Sequence, residues 1–266
     1  MTDATLQADA EDATRGWFAA SKVMTNAMPG AYERIGRGGV SLLYSGIPVP
    51  TLNGIFTETR DPDPAEIAAL AEQLPGLKMP YSIQLRRKLD SRTEADAAIE
   101  RIAAKYGLTW YHVEPLMIHR GMPTLRAPEA AARSVRVARS EDLEAYAATL
   151  ASAFEAPQEI MAKLAPPELF AAPGAVGYVA ESDGEIVAIG FGLTTGDAVG
   201  IFNIATLQDH RGRGYGRAVT ERAVADGIAA GATFAYLQSS EVGFELYESM
   251  GFHEAEQWAY LMAPGE

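Results

Sequence analysis

The chain has 266 residues, 48% of them hydrophobic, with a formal net charge of −13. This composition supports a packed core rather than disorder, and the acidic balance excludes broad nucleic-acid binding, because phosphates would be repelled; a cationic substrate fits better. There is no cysteine, which removes disulfides, thiolate nucleophiles and cysteine metal sites together.

Residues 1–15 read as a flexible acidic lead-in that becomes ordered near Trp17 and Phe18. This segment lacks the order of a signal peptide, and no apolar run reaches the length of a membrane span, so a soluble, cytoplasmic chain is expected. Arg34-Ile35-Gly36-Arg37-Gly38-Gly39 has the composition of a phosphate loop, but a strand at 40–45 follows it where a helix would be needed. A second strand is predicted at 51–57. Asp63 then caps a helix, with Pro64 in its first turn, Glu66 reaching back, and Ile67, Leu70, Ala71 and Leu74 along one face. A strand at 81–85 and a helix opened by Ser91 and Glu94 follow. Gly107 ends that helix, and a last strand lies between His112 and His119.

Residues 121–133, with Pro123 and Pro128, read as a linker. Beyond it come a strand at 135–139 and a helix capped by Ser140 that carries Leu143, Tyr146, Ala147, Leu150 and Phe154. A short helix at 158–164 is followed by a hairpin, 177–181 and 185–193, turning at Ser182-Asp183-Gly184. The apolar run from Val199 to Leu207 predicts a further strand, and 217–229 predicts a helix. Between them stands Arg211-Gly212-Arg213-Gly214-Tyr215-Gly216. Three glycines in five positions permit a tight turn whose N–H groups converge. The helix behind it adds a positive dipole end, and Arg211, Arg213 and Arg217 oppose the global charge. Such a turn suits an anionic ligand. A strand at 233–239 leads to Leu246-Tyr247-Glu248-Ser249-Met250-Gly251-Phe252.

The series strand, R-x-x-G-x-G, helix, strand, L-Y-x-x-x-G-F resembles the GNAT superfamily of N-acetyltransferases over residues 134–266. The resemblance implies an α/β fold of the α+β mixed-sheet kind and acetyl-CoA as cosubstrate. It implies that the backbone of Ile204, Ala205 and Thr206 pairs with the pantetheine arm. Arg211, Gly212, Arg213, Gly214, Tyr215, Gly216 and Arg217 would hold the pyrophosphate, and Tyr247 would serve the departing thiolate as an acid. Ser240 stands where the family often has asparagine, and Thr206 and Gln208 replace valine and proline.

Residues 1–128 run strand, strand, helix, strand, helix, strand, the order of the second part of such a domain. A degenerate copy, an unrelated α/β lobe and a shared sheet all fit this order. If the halves correspond, the phosphate-loop position falls at residues 58–63, where three acids would repel CoA. No histidine spacing suggests a metal. The amine must lose a proton before it attacks, and Asp197, Asp209, Glu241, Glu254 and His253 stand near in sequence, unranked. The function expected is N-acetyl transfer to a small-molecule or peptide amine by direct attack in a ternary complex, in a chain that could pair as a homodimer. The alternative is a CoA-binding sensor without turnover.

Overall fold

The computed structural model describes residues 2–87 and 94–264. The first half comprises α1 (Asp3–Ala27), β1 (Tyr32–Ile35), β2 (Val40–Tyr44), β3 (Asn53–Thr57), α2 (Pro64–Ala71), β4 (Ser82–Arg87), α3 (Glu94–Ala104) and β5 (Trp110–Arg120). The second begins with α4 (Glu129–Arg133), β6 (Val135–Val137), α5 (Leu143–Phe154), α6 (Gln158–Met161) and α7 (Pro167–Phe170). It continues with β7 (Ala175–Ser182), β8 (Glu185–Thr195), β9 (Ala198–Thr206), α8 (Tyr215–Ala229), β10 (Phe234–Gln238), α9 (Glu241–Ser249) and β11 (His253–Met262).

The described strands form one mixed sheet in the order β1-β2-β3-β4-β11-β5-β10-β9-β8-β7-β6. The expected α+β mixed sheet is thus present. Its two sides follow the same plan. β2 and β3 pair antiparallel and β3 and β4 parallel, with α2 between; β8, β9, α8 and β10 repeat this. α3 then leads to β5 and α9 to β11, but the two strands are exchanged. β5 pairs with β10 of the second half, β11 pairs with β4 of the first, and both pair with each other at the centre. Residues 1–128 and 134–266 therefore share one sheet, and each supplies a central strand to the other.

The largest departure from expectation is α1, a helix of 25 residues where a flexible lead-in is predicted. Thr2 caps it by accepting from the Thr5 amide at 3.2 Å, and Asp3 stands at its positive end. Ala10, Ala13, Trp17 and Ala20 are buried on one face. The small residues let the helix lie close to the sheet. A β-carbon on Gly16 would stand only 2.7 Å from the Tyr236 ring, whose hydroxyl donates to the Gly16 carbonyl at 2.8 Å. α1 covers one face of the sheet, while α2, α3, α8 and α9 pack on the other. Alternation divides the strands accordingly: Leu116 and Ile118 face the α1 side and Met117 the other.

Local differences have local causes. Asp63 caps α2, accepting from the Ala65 amide at 2.9 Å, but Glu66 accepts from the Arg37 amide at 3.0 Å instead of reaching back. Pro50 to Leu52 form a 3-10 turn, so the predicted strand at 51–57 begins only at Asn53. The helix expected to be capped by Ser140 is capped one residue earlier: Ser140 to Asp142 form a 3-10 turn behind Arg139, whose amide donates to Asp142 at 2.6 Å, and α5 continues from Leu143. The cap assigned to Ser91 lies outside the described residues. Arg34 to Gly39 end β1 and turn into β2, so no helix stands behind those glycines.

Candidate active site

The site begins where β9 and β10 part. They pair only from Ala198 to Gly200 against Phe234 to Tyr236, and β9 then runs on to Thr206 with that edge unpaired. On its other edge the register with β8 shifts between Ile189 and Phe191, and Asn203 at the shift has φ +55°. Asparagine tolerates this left-handed backbone better than most side chains. The bulge bends the strand and separates Phe202 and Asn203 from Ile204, Ala205 and Thr206.

The glycine turn follows. Gly212 and Gly214 adopt φ +75° and +88°, and Gly214 is the cap residue of α8, so side chains at either would be strained. A β-carbon on Gly214 would meet Pro128 Cδ at 2.4 Å, and one on Gly216 would stand 3.3 Å from Thr206 Oγ1. The linker thus crosses the turn on one side, and the end of β9 lies against it on the other. Glu221 fastens that linker, accepting from the Arg126 and Ala127 amides at 2.9 and 3.1 Å.

The three arginines have separate fates. Arg211 donates to the Thr206 carbonyl at 3.2 Å and to the Ala153 carbonyl at 3.4 Å, which ties the turn to β9 and to α5. Arg217 points back to Ser249 Oγ at 2.5 Å and lies 3.8 Å from Glu221. Arg213 is exposed and unpaired among the described residues. Tyr215 packs edge-on against His210. Ser240 caps α9, accepting from the Gly243 amide at 3.3 Å.

Tyr247, one helix beyond, is 8% exposed, and burial pushes its hydroxyl up to about 12. Its ring packs edge-on against Phe252 at 6.0 Å.

On the α1 face, the parting of β9 and β10 opens a cavity of about 240 Å³. Phe202 and Asn203 of the bulge, Gln238 at the end of β10, and Trp17, Glu114 and Tyr260 line it. Trp17 Nε1 donates to Gln238 Oε1 and Gln238 Nε2 donates to the Tyr260 hydroxyl, both at 2.9 Å. Burial, and then the Glu114 charge, hold the Tyr260 hydroxyl well above its usual value. Glu114 pairs with His112 Nε2 at 3.0 Å, and this hydrogen bond raises the imidazole. Of the five groups near in sequence, none lines the cavity. Asp197 pairs with Arg15 at 2.7 Å and His253 with Asp9 at 2.8 Å. Sequence reading gave no site role to Asn203, Gln238, Tyr260, Trp17 or Glu114. An asparagine inside the run Ile201-Phe202-Asn203-Ile204 was the available signal for a bulge.

The corresponding place in the first half is closed. β3 and β4 pair only at Gly54 and Ile55 with Ser82 and Ile83, and side chains then bridge the gap. Gln84 Oε1 accepts from the Thr57 amide at 2.8 Å, and Arg86 donates to the Glu58 carbonyl. The strand edge that is open in β9 is occupied in β3.

Residues 173–254 match the family model described as an acetyltransferase (GNAT) domain. The resemblance to the GNAT superfamily is thus borne out over these residues. Solved GNAT structures share the fold across both halves. A GCN5-related N-acetyltransferase from Kribbella flavida is 19% identical, with 96% of each chain covered and a TM-score of 0.64. A GCN5-related N-acetyltransferase from Sphaerobacter thermophilus is 15% identical over 86% of this chain and 82% of that one, with a TM-score of 0.54. A functionally unknown conserved protein from Staphylococcus epidermidis is 11% identical over 89% of this chain and 95% of its own, with a TM-score of 0.60. No curated protein matches the chain. Among the described residues, no helix is long and apolar enough to cross a membrane, and no group of three or more histidine or acidic side chains could hold a metal ion.

Proposed function

We propose that the chain is an acetyl-CoA-dependent N-acetyltransferase that binds one acetyl-CoA in its second half. The observation that carries this reading is the unpaired β9 edge running into the glycine turn at the start of α8. The backbone groups of Ile204 to Thr206 that are taken neither by β8 nor, at the Thr206 carbonyl, by Arg211 suit the amide groups of a pantetheine arm. The converging amides and helix dipole at Gly212 to Gly216 suit a pyrophosphate, and Arg213 is the cation free to reach it. Arg217 would act on the turn through Ser249 and Glu221, and Ser240 through the cap of α9. The first half, with β3 already bridged, is read as a degenerate copy that has lost cofactor binding and now walls the acceptor cavity.

The reaction would be direct. With cosubstrate and acceptor bound together, the amine nitrogen attacks the thioester carbonyl, the C–N bond forms, and the C–S bond breaks with its electron pair leaving on sulfur. The acceptor ammonium loses two of its three protons overall: one passes to solvent before attack, and the other ends on the departing thiolate. Alignment of amine and thioester supplies much of the gain, and Tyr247 would donate a hydrogen bond to the sulfur as charge builds there. The test is thiol release from acetyl-CoA across a panel of amines, in which the cysteine-free protein is itself silent. Arg213→Glu should leave folding intact and weaken acetyl-CoA binding by about tenfold or more, since a phosphate contact becomes a repulsion. Unchanged affinity would remove the turn from the cofactor site. Acetyl-CoA binding without release on any amine would favour the sensor.

A further inference from the structure

The cavity on the α1 face carries an unusual balance of groups. Its walls include Trp17, Leu43, Phe56, Phe191 and Phe202, and among the described lining residues there is one charged side chain, Glu114. Among the described residues, neither lysine nor arginine lines it. At about 240 Å³ it falls below the usual 300–1,000 Å³ of pockets for drug-sized ligands. A wider groove of about 590 Å³ shares Met28 and Ser45 with its lining.

The polar groups inside are already oriented. Trp17 fixes the Gln238 amide, and Gln238 fixes a lone pair of the Tyr260 hydroxyl, so the Tyr260 proton is left to point elsewhere. Glu114 uses Oε1 toward His112, and no described group occupies its other oxygen. A carboxylate with an open oxygen, on a cavity lined largely by aromatic and aliphatic side chains, receives an ammonium group by charge.

We propose that the acceptor is a small primary amine with a compact apolar body, aromatic or branched, whose ammonium is received by Glu114 while the body fills the cavity between Trp17 and Phe202. This rests on the acetyltransferase reading, since it assigns the acceptor of that site. The chemistry excludes other amines. A free amino acid would bring a second carboxylate beside Glu114, where the described lining holds no lysine or arginine and His112 is already engaged by Glu114. An aminoglycoside, built of several rings, is too large for a cavity of about 240 Å³.

The experiment is direct binding, read by calorimetric titration on the full chain with CoA present, using 2-phenylethylamine as probe. Phenylalanine and 2-phenylethanol share its ring but add a carboxylate or remove the charge. Each should bind about tenfold more weakly or worse. Glu114→Gln should erase the preference for the amine over the alcohol while the alcohol still binds, which shows that the cavity has kept its shape. Equal binding of amine and alcohol to the unaltered chain, or of amine and amino acid, would overturn the proposal, as would no measurable amine binding. The reading beneath it is checked separately, because binding of acetyl-CoA itself needs no acceptor. If the cofactor binds and an aminoglycoside or amino acid outcompetes the probe, the acceptor assignment alone is lost.

Discussion

Tyr247 illustrates how burial limits what a side chain can do. Its hydroxyl is raised to about 12 by burial, whereas a free thiol titrates near 8.5, so complete proton transfer to a CoA thiolate would be uphill by about 5 kcal/mol. A hydrogen bond that strengthens as the sulfur gains charge carries no such penalty. Phenylalanine keeps the ring packed on Phe252 and removes only the donor. Hydrogen bonds to charged groups contribute about 1.5–3 kcal/mol, so Tyr247→Phe should lower kcat by on the order of 10- to 100-fold while acetyl-CoA affinity hardly changes. Single-turnover acetyl transfer with saturating cosubstrate measures this. An unchanged rate would remove Tyr247 from the chemistry and leave it as a core aromatic. The loop and this tyrosine were legible in the sequence because glycine spacing and a helical L-Y-x-x-x-G-F are local signals. Glu114 and Tyr260 were not, because they meet only through the central pairing of β5 with β11, across more than a hundred residues.

Element order was similarly legible wherever the pattern was local. The hairpin of β7 and β8, the strand β9 and the helix α8 fall close to their predicted places. The exchange of β5 and β11 was not, since a strand's sequence does not say which half it joins. α1 was missed for a different reason. Its acidic, alanine-rich opening has the composition of a solvated tail, and only the sheet beneath gives Ala10, Ala13 and Ala20 something to bury against. The exchange creates a burial problem that one residue solves. Glu256 of β11, 2% exposed, accepts from Arg86 Nε at 2.6 Å, Arg60 Nη2 at 3.0 Å, Trp258 Nε1 at 2.6 Å and Thr14 Oγ1 at 3.3 Å. Both arginines come from the first half, so this cluster pins the exchanged strand to its host. Glu11 still meets Arg86 at 2.9 Å when Glu256 loses its charge, so Glu256→Gln should cost less than the roughly 3–5 kcal/mol of a fully stranded buried charge but more than about 1 kcal/mol in urea unfolding. Breaking the exposed Arg133 and Glu129 pair with Glu129→Gln should cost no more than about 0.5 kcal/mol. Similar costs for the two would mean that the exchanged strand is held by its apolar faces alone.

At the scale of the whole molecule, the same sheet gathers many buried hydroxyls. Tyr146, Tyr178, Tyr236, Tyr247 and Tyr260 are all raised, each chiefly by burial. They are spread over α5, β7, β10, α9 and β11, so their ionisation is tied to the whole fold rather than to one lobe. In the unfolded chain a tyrosine titrates near 10. Above that pH the unfolded state gives up protons that the folded state keeps, so fewer protons are bound when unfolded and stability falls as pH rises. At full slope each fully buried tyrosine removes about 1.4 kcal/mol per pH unit, and four of them acting together remove roughly 5 kcal/mol per unit, comparable to a whole domain's stability. The loss is confined to the window above about 10, and below it these groups contribute no pH dependence. The expected behaviour is therefore a cooperative alkaline transition in which tyrosinate absorbance and loss of far-ultraviolet dichroism coincide between about pH 10 and 12. Because β5 and β11 lock the halves into one sheet, both halves should lose their signal in that single step. A gradual rise of tyrosinate centred near 10 that accounts for all eleven tyrosines, with the dichroism retained, would mean that these rings open to solvent without unfolding. Two separated transitions would mean that the strand exchange does not couple the halves.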